Sequence, residues 1–194
     1  KLIGALYRIP LTNLIGGYGM GLYQMVYPFY CLLLTVSATG IPSSIAKMVA
    51  EKRAQGVSGK PVLKSAFILF QIGTLLMMAL SPLLSRAQDC ADLKNGYIAL
   101  APSVLLVSAI SVFRGWFQGE NNMLPTALSE VTEQLVKVGF GLLFAYLFRS
   151  DVKKAVTYIL LSVSISETVA LILMFVLFKR VPAPFAGLKD GGRV

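Results

Sequence analysis

The stretch "AVTYILLSVSISETVALILMFVLF", Ala155 to Phe178, carries a single charged side chain, Glu167. About 20 helical residues cross a hydrocarbon core roughly 30 Å thick, so the stretch reads as a membrane span with a carboxyl near its centre. A lipid-facing acid at that depth costs on the order of 2.5–3.5 kcal/mol on insertion scales. Glu167 is therefore expected to face inward or to hold a proton. Two readings stay open for it. One is an ion- or proton-coupling site; the other is a structural carboxyl, hydrogen-bonded to the serines at 162, 164 and 166 or packed against another part of the protein.

Outward from this span, the rest of the chain has the same character. Of its 194 residues 56% are hydrophobic and 14% charged, and the mean hydropathy is +0.71. Soluble domains run nearer 45–50% apolar and about 25% charged, so a soluble globule is the poorer account. The apolar residues are gathered into six blocks, 2–24, 25–46, 62–84, 97–117, 125–148 and 155–178, separated by short polar segments. The reading is an all-α membrane protein of six transmembrane helices over residues 1–180, with 181–194 as a cytoplasmic linker or truncated end. The first block is diluted by Arg8, Pro10, Asn13 and the pair Gly16-Gly17. It spans only if its polar positions face protein or water. No cleavage pattern of a signal peptide follows a short apolar core, and a chain opening on Lys1 is expected to be a fragment of a longer protein.

A net charge of +9 invites a nucleic-acid reading, which the topology removes. With both ends in the cytoplasm, thirteen of the 18 lysines and arginines fall on that side, the asymmetry that orients proteins in a plasma membrane. The loop holding Arg149, Lys153 and Lys154 runs against it. There is no histidine, no CxxC and no HExxH. Metal, cofactor and hydrolase chemistry therefore lack their usual sequence marks, and the chain is read as a non-enzyme. Cys31 and Cys90 fall at different depths, which argues against a disulfide.

Polar positions inside the blocks recur at helical spacing. Lys1, Gly4, Arg8, Thr12 and Gly16 fall on one stripe of the first span, and Thr35, Thr39 and Ser43 on one of the second. Hydroxyls and glycines on such stripes either line a cavity or pack helix against helix. A guanidinium serves packing poorly. Prolines at 10, 28, 42, 82, 102 and 125 add kinks of the kind found around cavities. Near the start of the fifth span, Glu133 and Lys137 stand at the i, i+4 spacing of a favourable pair.

Two segments are more specific, "GMGLYQMVYPFYCLLLTVSATGIPSSIAKMVAEK" at 19–52 and "FRGWFQGENNMLPTALSEVTEQLVKV" at 113–138. With "YRIPL" at 7–11, they resemble the stage V sporulation protein B and polysaccharide biosynthesis family. These are relatives of the lipid II flippases in the multidrug/oligosaccharidyl-lipid/polysaccharide exporter superfamily. The resemblance covers nearly the whole chain. It implies two six-helix lobes around a cavity open alternately to either side, this chain supplying one and a missing second lobe the other. It also implies that Arg8, in a G-x-x-x-R spacing with Gly4, engages a lipid-linked diphosphate. A second-helix arginine of the flippases has no counterpart here, where Lys47 stands near the helix end, so only Arg8 is carried over. Glu167 belongs to no motif of the family.

The expectation is a flippase for a lipid-linked oligosaccharide or peptidoglycan precursor in cell-wall or polysaccharide biosynthesis. Its cavity residues would be Arg8, Thr12, Thr35, Thr39 and Ser43, with Glu167 as a coupling candidate. The alternatives are an ion-coupled drug or cation antiporter of the same superfamily, and a non-transporting membrane scaffold. Its partners would be the lipid-linked diphosphate, membrane lipids and the second lobe, with no nucleic acid.

Overall fold

A computed structural model describes residues 2–35, 40–56, 64, 68 and 94–180. The third expected span apart from residues 64 and 68, together with Cys90, Thr39 and the tail from 181, lies outside the described residues. Among the described residues the regular structure is helical: α1 (Leu2–Thr35), α2 (Ile41–Ala54), α3 (Lys94–Gly119), α4 (Leu124–Leu147) and α5 (Val152–Arg180).

The junction expected at Gln24/Met25 falls inside α1, and the chain bends at Gly16, with φ 68° and ψ −179°. A side chain there would meet no neighbour within 4 Å. Glycine is needed at 16 for its backbone angles, which an L-residue reaches only with strain. The bend brings Tyr7, Leu11 and Ile15 into one apolar cluster with Met20, Tyr23 and Val26. Pro42 and Pro125 sit in the first turns of α2 and α4, where a missing N–H is no loss.

The turn from α3 to α4 is closed by backbone bonds. The Asn122 N–H donates to the Phe117 carbonyl at 2.9 Å, and Asn121 takes a positive φ of 58°. This is a 6→1 helix stop with asparagine in the left-handed position. Asp151 starts α5, accepting from the Lys154 N–H at 3.2 Å and pairing with the Lys154 ammonium at 3.1 Å.

α5 lies along both α3 and α4, α2 packs on α3, and α1 packs on α4 and α5. One apolar cluster joins α1 to the first half of α5, around Ile159 and Leu160. A second joins Ile45 and Val49 of α2 to Phe113, Trp116 and Phe117 of α3 and Met174 of α5. Polarity is inverted relative to a soluble bundle. Ser103, Ser108, Ser111, Ser129, Ser162, Ser164, Ser166 and Glu167 are buried, while Leu124, Leu128, Val131, Leu135, Leu143 and Leu147 of α4 are exposed. Buried serines donating to helix carbonyls are a common contact between membrane helices. Ser164 reaches the Ala99 carbonyl of α3 at 2.7 Å, beside the carbonyl of Ile98 that Pro102 leaves without its N–H. Among the described residues, Val152–Arg180 is the one helix long and apolar enough to cross a membrane.

Candidate functional site

Arg8 is exposed on α1, one turn before Thr12, whose hydroxyl donates to the Arg8 carbonyl at 2.8 Å. In a straight helix Arg8 and Tyr23 would stand about 22 Å apart. The bend at Gly16 instead puts Arg8 within electrostatic range of Tyr23 and Tyr27. Those two rings stack with centroids 5.0 Å apart. The guanidinium and the aromatic pair later in its own helix are thus within electrostatic range across the bend.

The second expected stripe is described only at its two ends, Thr39 lying outside the described residues. Thr35 is the last residue of α1, and Ser43 is exposed in the first turn of α2, which packs on α3. Of the expected cavity residues, the structure brings Arg8 and Thr12 together.

Glu167 is 0% exposed. The three serines around it donate elsewhere: Ser162 to the Ile159 carbonyl at 2.6 Å, Ser164 to Ala99 and Ser166 to Val163, both at 2.7 Å. Their donors are therefore not what stabilises its carboxylate. Lys137, half-buried on α4, lies within electrostatic range of Glu167.

Glu133 stays within electrostatic range of Lys137, as its spacing leads one to expect, but its direct bond is to another helix. Glu133 Oε2 accepts from Arg114 Nη2 of α3 at 3.0 Å, with the two side chains 14% and 12% exposed. Arg114 Nε also donates to Ser129 Oγ at 2.9 Å, and Ser129 donates on to the Thr126 carbonyl at 3.0 Å. A guanidinium that satisfies a carboxylate and a hydroxyl at once is the partner best able to hold a charge out of water. Nearby, Arg53 of α2 donates to the Glu120 carbonyl at 2.8 Å, tying α2 to the α3–α4 turn.

Two glycines of the same segment have a packing role. A methyl on Gly115 would sit 2.8 Å from Ile45 Cβ and from the Pro42 carbonyl, and one on Gly119 would sit 2.6 Å from Val49 Cβ. Gly115 and Gly119 form a G-x-x-x-G contact that lets α2 and α3 touch backbone to backbone. Gly141 of α4 plays the same part towards α1, since a methyl there would overlap the Tyr7 hydroxyl. The signal for these contacts was in the sequence as glycines four residues apart in an apolar helix.

An apolar exterior, serine-lined helix contacts and an interior holding Arg114, Glu133, Lys137 and Glu167 define the class: a helical protein built like a membrane bundle with a charged inside. The chain belongs to the polysaccharide biosynthesis protein family, which it matches over residues 1–190. It is 31% identical over 188 residues to stage V sporulation protein B of Bacillus subtilis, covering 92% of this chain and 36% of that protein. It is 34% identical over 144 residues to the uncharacterized membrane protein YabM of the same organism, covering 71% and 26%. To the Bacillus subtilis lipid II flippase MurJ it is 25% identical over 199 residues, covering 93% and 37%. The chain thus covers from about a quarter to little more than a third of the length of these relatives. No solved structure matches it significantly.

Proposed function

We propose that this chain is one six-helix lobe of a plasma-membrane flippase, both of its ends cytoplasmic, which with a second lobe moves a polyprenyl-diphosphate-linked saccharide across the bilayer without chemical conversion. The observation that carries the reading is Arg8, an exposed cation on an otherwise apolar helix of a protein similar to a named lipid II flippase. On a lipid-facing surface that guanidinium would be costly, whereas a polar cavity between two lobes gives it water and an anionic ligand. Its planar fork suits two phosphate oxygens and stays charged at low dielectric. Thr12, Thr35, Thr39 and Ser43 line the same cavity in this reading, and Glu167 serves ion coupling.

The test is transport of a lipid-linked diphosphate by the full-length protein in vesicles. Arg8→Ala is expected to insert normally and abolish transport, and Arg8→Lys to retain part of it. Wild-type transport by Arg8→Ala would overturn the assignment. The second reading, an ion-coupled antiporter, is favoured by the complete burial of Glu167. In that case Glu167→Gln removes the pH or potential dependence of small-cation export and Arg8→Ala is silent.

A further inference from the structure

We propose that Lys137 is the fixed counter-cation of Glu167, and that the ion exchanged at this carboxyl is a proton and not a metal cation. The inference rests on the coupling role proposed for Glu167 above, and adds to it the ion and the residue that governs its exchange.

The register of α4 against α5 brings the two residues to one level. The helices are joined by the short turn at 148–151. Next to that turn, Tyr158 of α5 stacks on Phe148 at 4.2 Å and meets Phe144 of α4 at 5.8 Å between ring centroids. One turn further in, a methyl on Gly141 would sit 3.3 Å from the Ser162 hydroxyl oxygen. These pairs run antiparallel. The next turn, about 6 Å along each helix, therefore sets Lys137 of α4 opposite Ser166 and Glu167 of α5. The electrostatic range between Lys137 and Glu167 agrees with that register. Glu167 is fully buried there, and Lys137 is half-buried.

The charged and titratable groups on the helices packed against α5 are few. α4 brings Lys137 and, one turn away, Glu133; α3 brings Arg114, which Glu133 holds at 3.0 Å. α1 brings the Cys31 thiol, in range of Lys137, with the phenols of Tyr23 and Tyr27 near that thiol and Tyr7 beside Gly141. Two cations and two carboxylates share this interior, which is balanced when both carboxylates are ionised. A carboxylate out of water needs an opposite charge to stay ionised, and the tethered ammonium supplies it. A metal ion at the same oxygens would stand against a positive charge that cannot leave. Among the described residues no cluster of three or more acidic, thiol or imidazole ligands offsets that repulsion. A proton goes onto the carboxylate oxygen itself and needs no coordination shell. While it is bound, Glu133 remains within range of the ammonium; when it leaves, the ammonium again faces two carboxylates.

The experiment is an infrared pH titration of the full-length protein in liposomes, following the carboxylic carbonyl band that is absent in Glu167→Gln. Lys137→Gln is expected to move the midpoint of that band to higher pH by about 1–3 units, because the carboxylate has lost its counter-charge. In Lys137→Arg, which keeps the charge, the midpoint stays at the wild-type value, and adding sodium or potassium chloride to the wild type leaves it in place. A midpoint unchanged in Lys137→Gln overturns the proposal. So does a wild-type midpoint that falls when sodium or potassium is added, the mark of a metal ion competing with the proton. If Lys137→Gln does not fold, Lys137→Met is read by the same outcomes. The coupling role itself has a separate measurement, transport of undecaprenyl diphosphate as a function of pH. Transport that keeps its pH dependence in Glu167→Gln removes the coupling role and this inference with it. Lost dependence in Glu167→Gln beside an unmoved midpoint in Lys137→Gln removes this inference alone.

Discussion

Arg114 and Glu133 form a pair whose removal and whose replacement have different consequences. Two charges 12% and 14% exposed have lost most of their water, and their mutual attraction mainly offsets that loss. Deleting one partner strands the other. Arg114→Met is therefore expected to destabilise by about 3–5 kcal/mol, read as a lower unfolding midpoint in mixed micelles. Arg114→Met combined with Glu133→Leu should recover most of that stability, because no unpaired charge remains. A single variant as stable as the parent would show the pair to be solvated and the network incidental. The same pairing gives Glu133 its direct bond to the Arg114 guanidinium at 3.0 Å and leaves Lys137 in electrostatic range only.

Glycine and aspartate set where the helices touch and begin. Gly115→Val places a branched side chain where even a methyl meets the Pro42 carbonyl and Ile45 at 2.8 Å, so α2 must move away from α3. The expected outcome is proteolytic access at Gln55–Gly56 and loss of the buried environment of Trp116, followed by its fluorescence. Gly139→Ala on α4, where a methyl meets nothing within 4 Å, is the silent control. At the start of α5 the backbone N–H and the ammonium of Lys154 hold the Asp151 carboxyl below the usual carboxylate range. The folded value is depressed, so the stabilisation is complete above the ordinary carboxylate pKa and is lost as pH falls through the lowered one. Amide exchange in the first turn of α5 should therefore quicken at acidic pH relative to Asp151→Asn, which caps without titrating. Identical exchange in both proteins across that range would remove Asp151 as the acid-sensitive element.

The described bundle turns serines, Glu167 and the Arg114–Glu133 pair inward and the leucines of α4 outward, an arrangement that is stable when the surroundings are hydrocarbon. In the proposed topology, with both ends cytoplasmic, the end of α2 lies in the cytoplasm. In intact cells expressing the full-length protein, a cysteine at Gly56 should resist an impermeant thiol reagent, and Cys90 should react with it. Labelling at position 56 from outside would reverse the orientation and every side assigned from it.

Helical class and family membership, together with the stretches that form α3, α4 and α5, were legible in the amino acids alone. Length and hydropathy are properties along a line, and a span declares itself by them. The motif glycines at 115 and 119 and the polar residues Arg114, Ser129 and Glu133 were visible as a pattern, but their purpose was not. Whether Glu133 meets Lys137 on its own helix or Arg114 nineteen residues back depends on the rotation of α3 against α4. That rotation is set by the turn at Asn121 and by how closely α2 and α3 can approach across two glycines. In the same way the bend at Gly16, a matter of two backbone angles, decides that Arg8 is within electrostatic range of Tyr23 and Tyr27 and not 15 residues away along a straight helix. Periodicity assigns a residue to a face of its helix; only packing between helices assigns that face a partner.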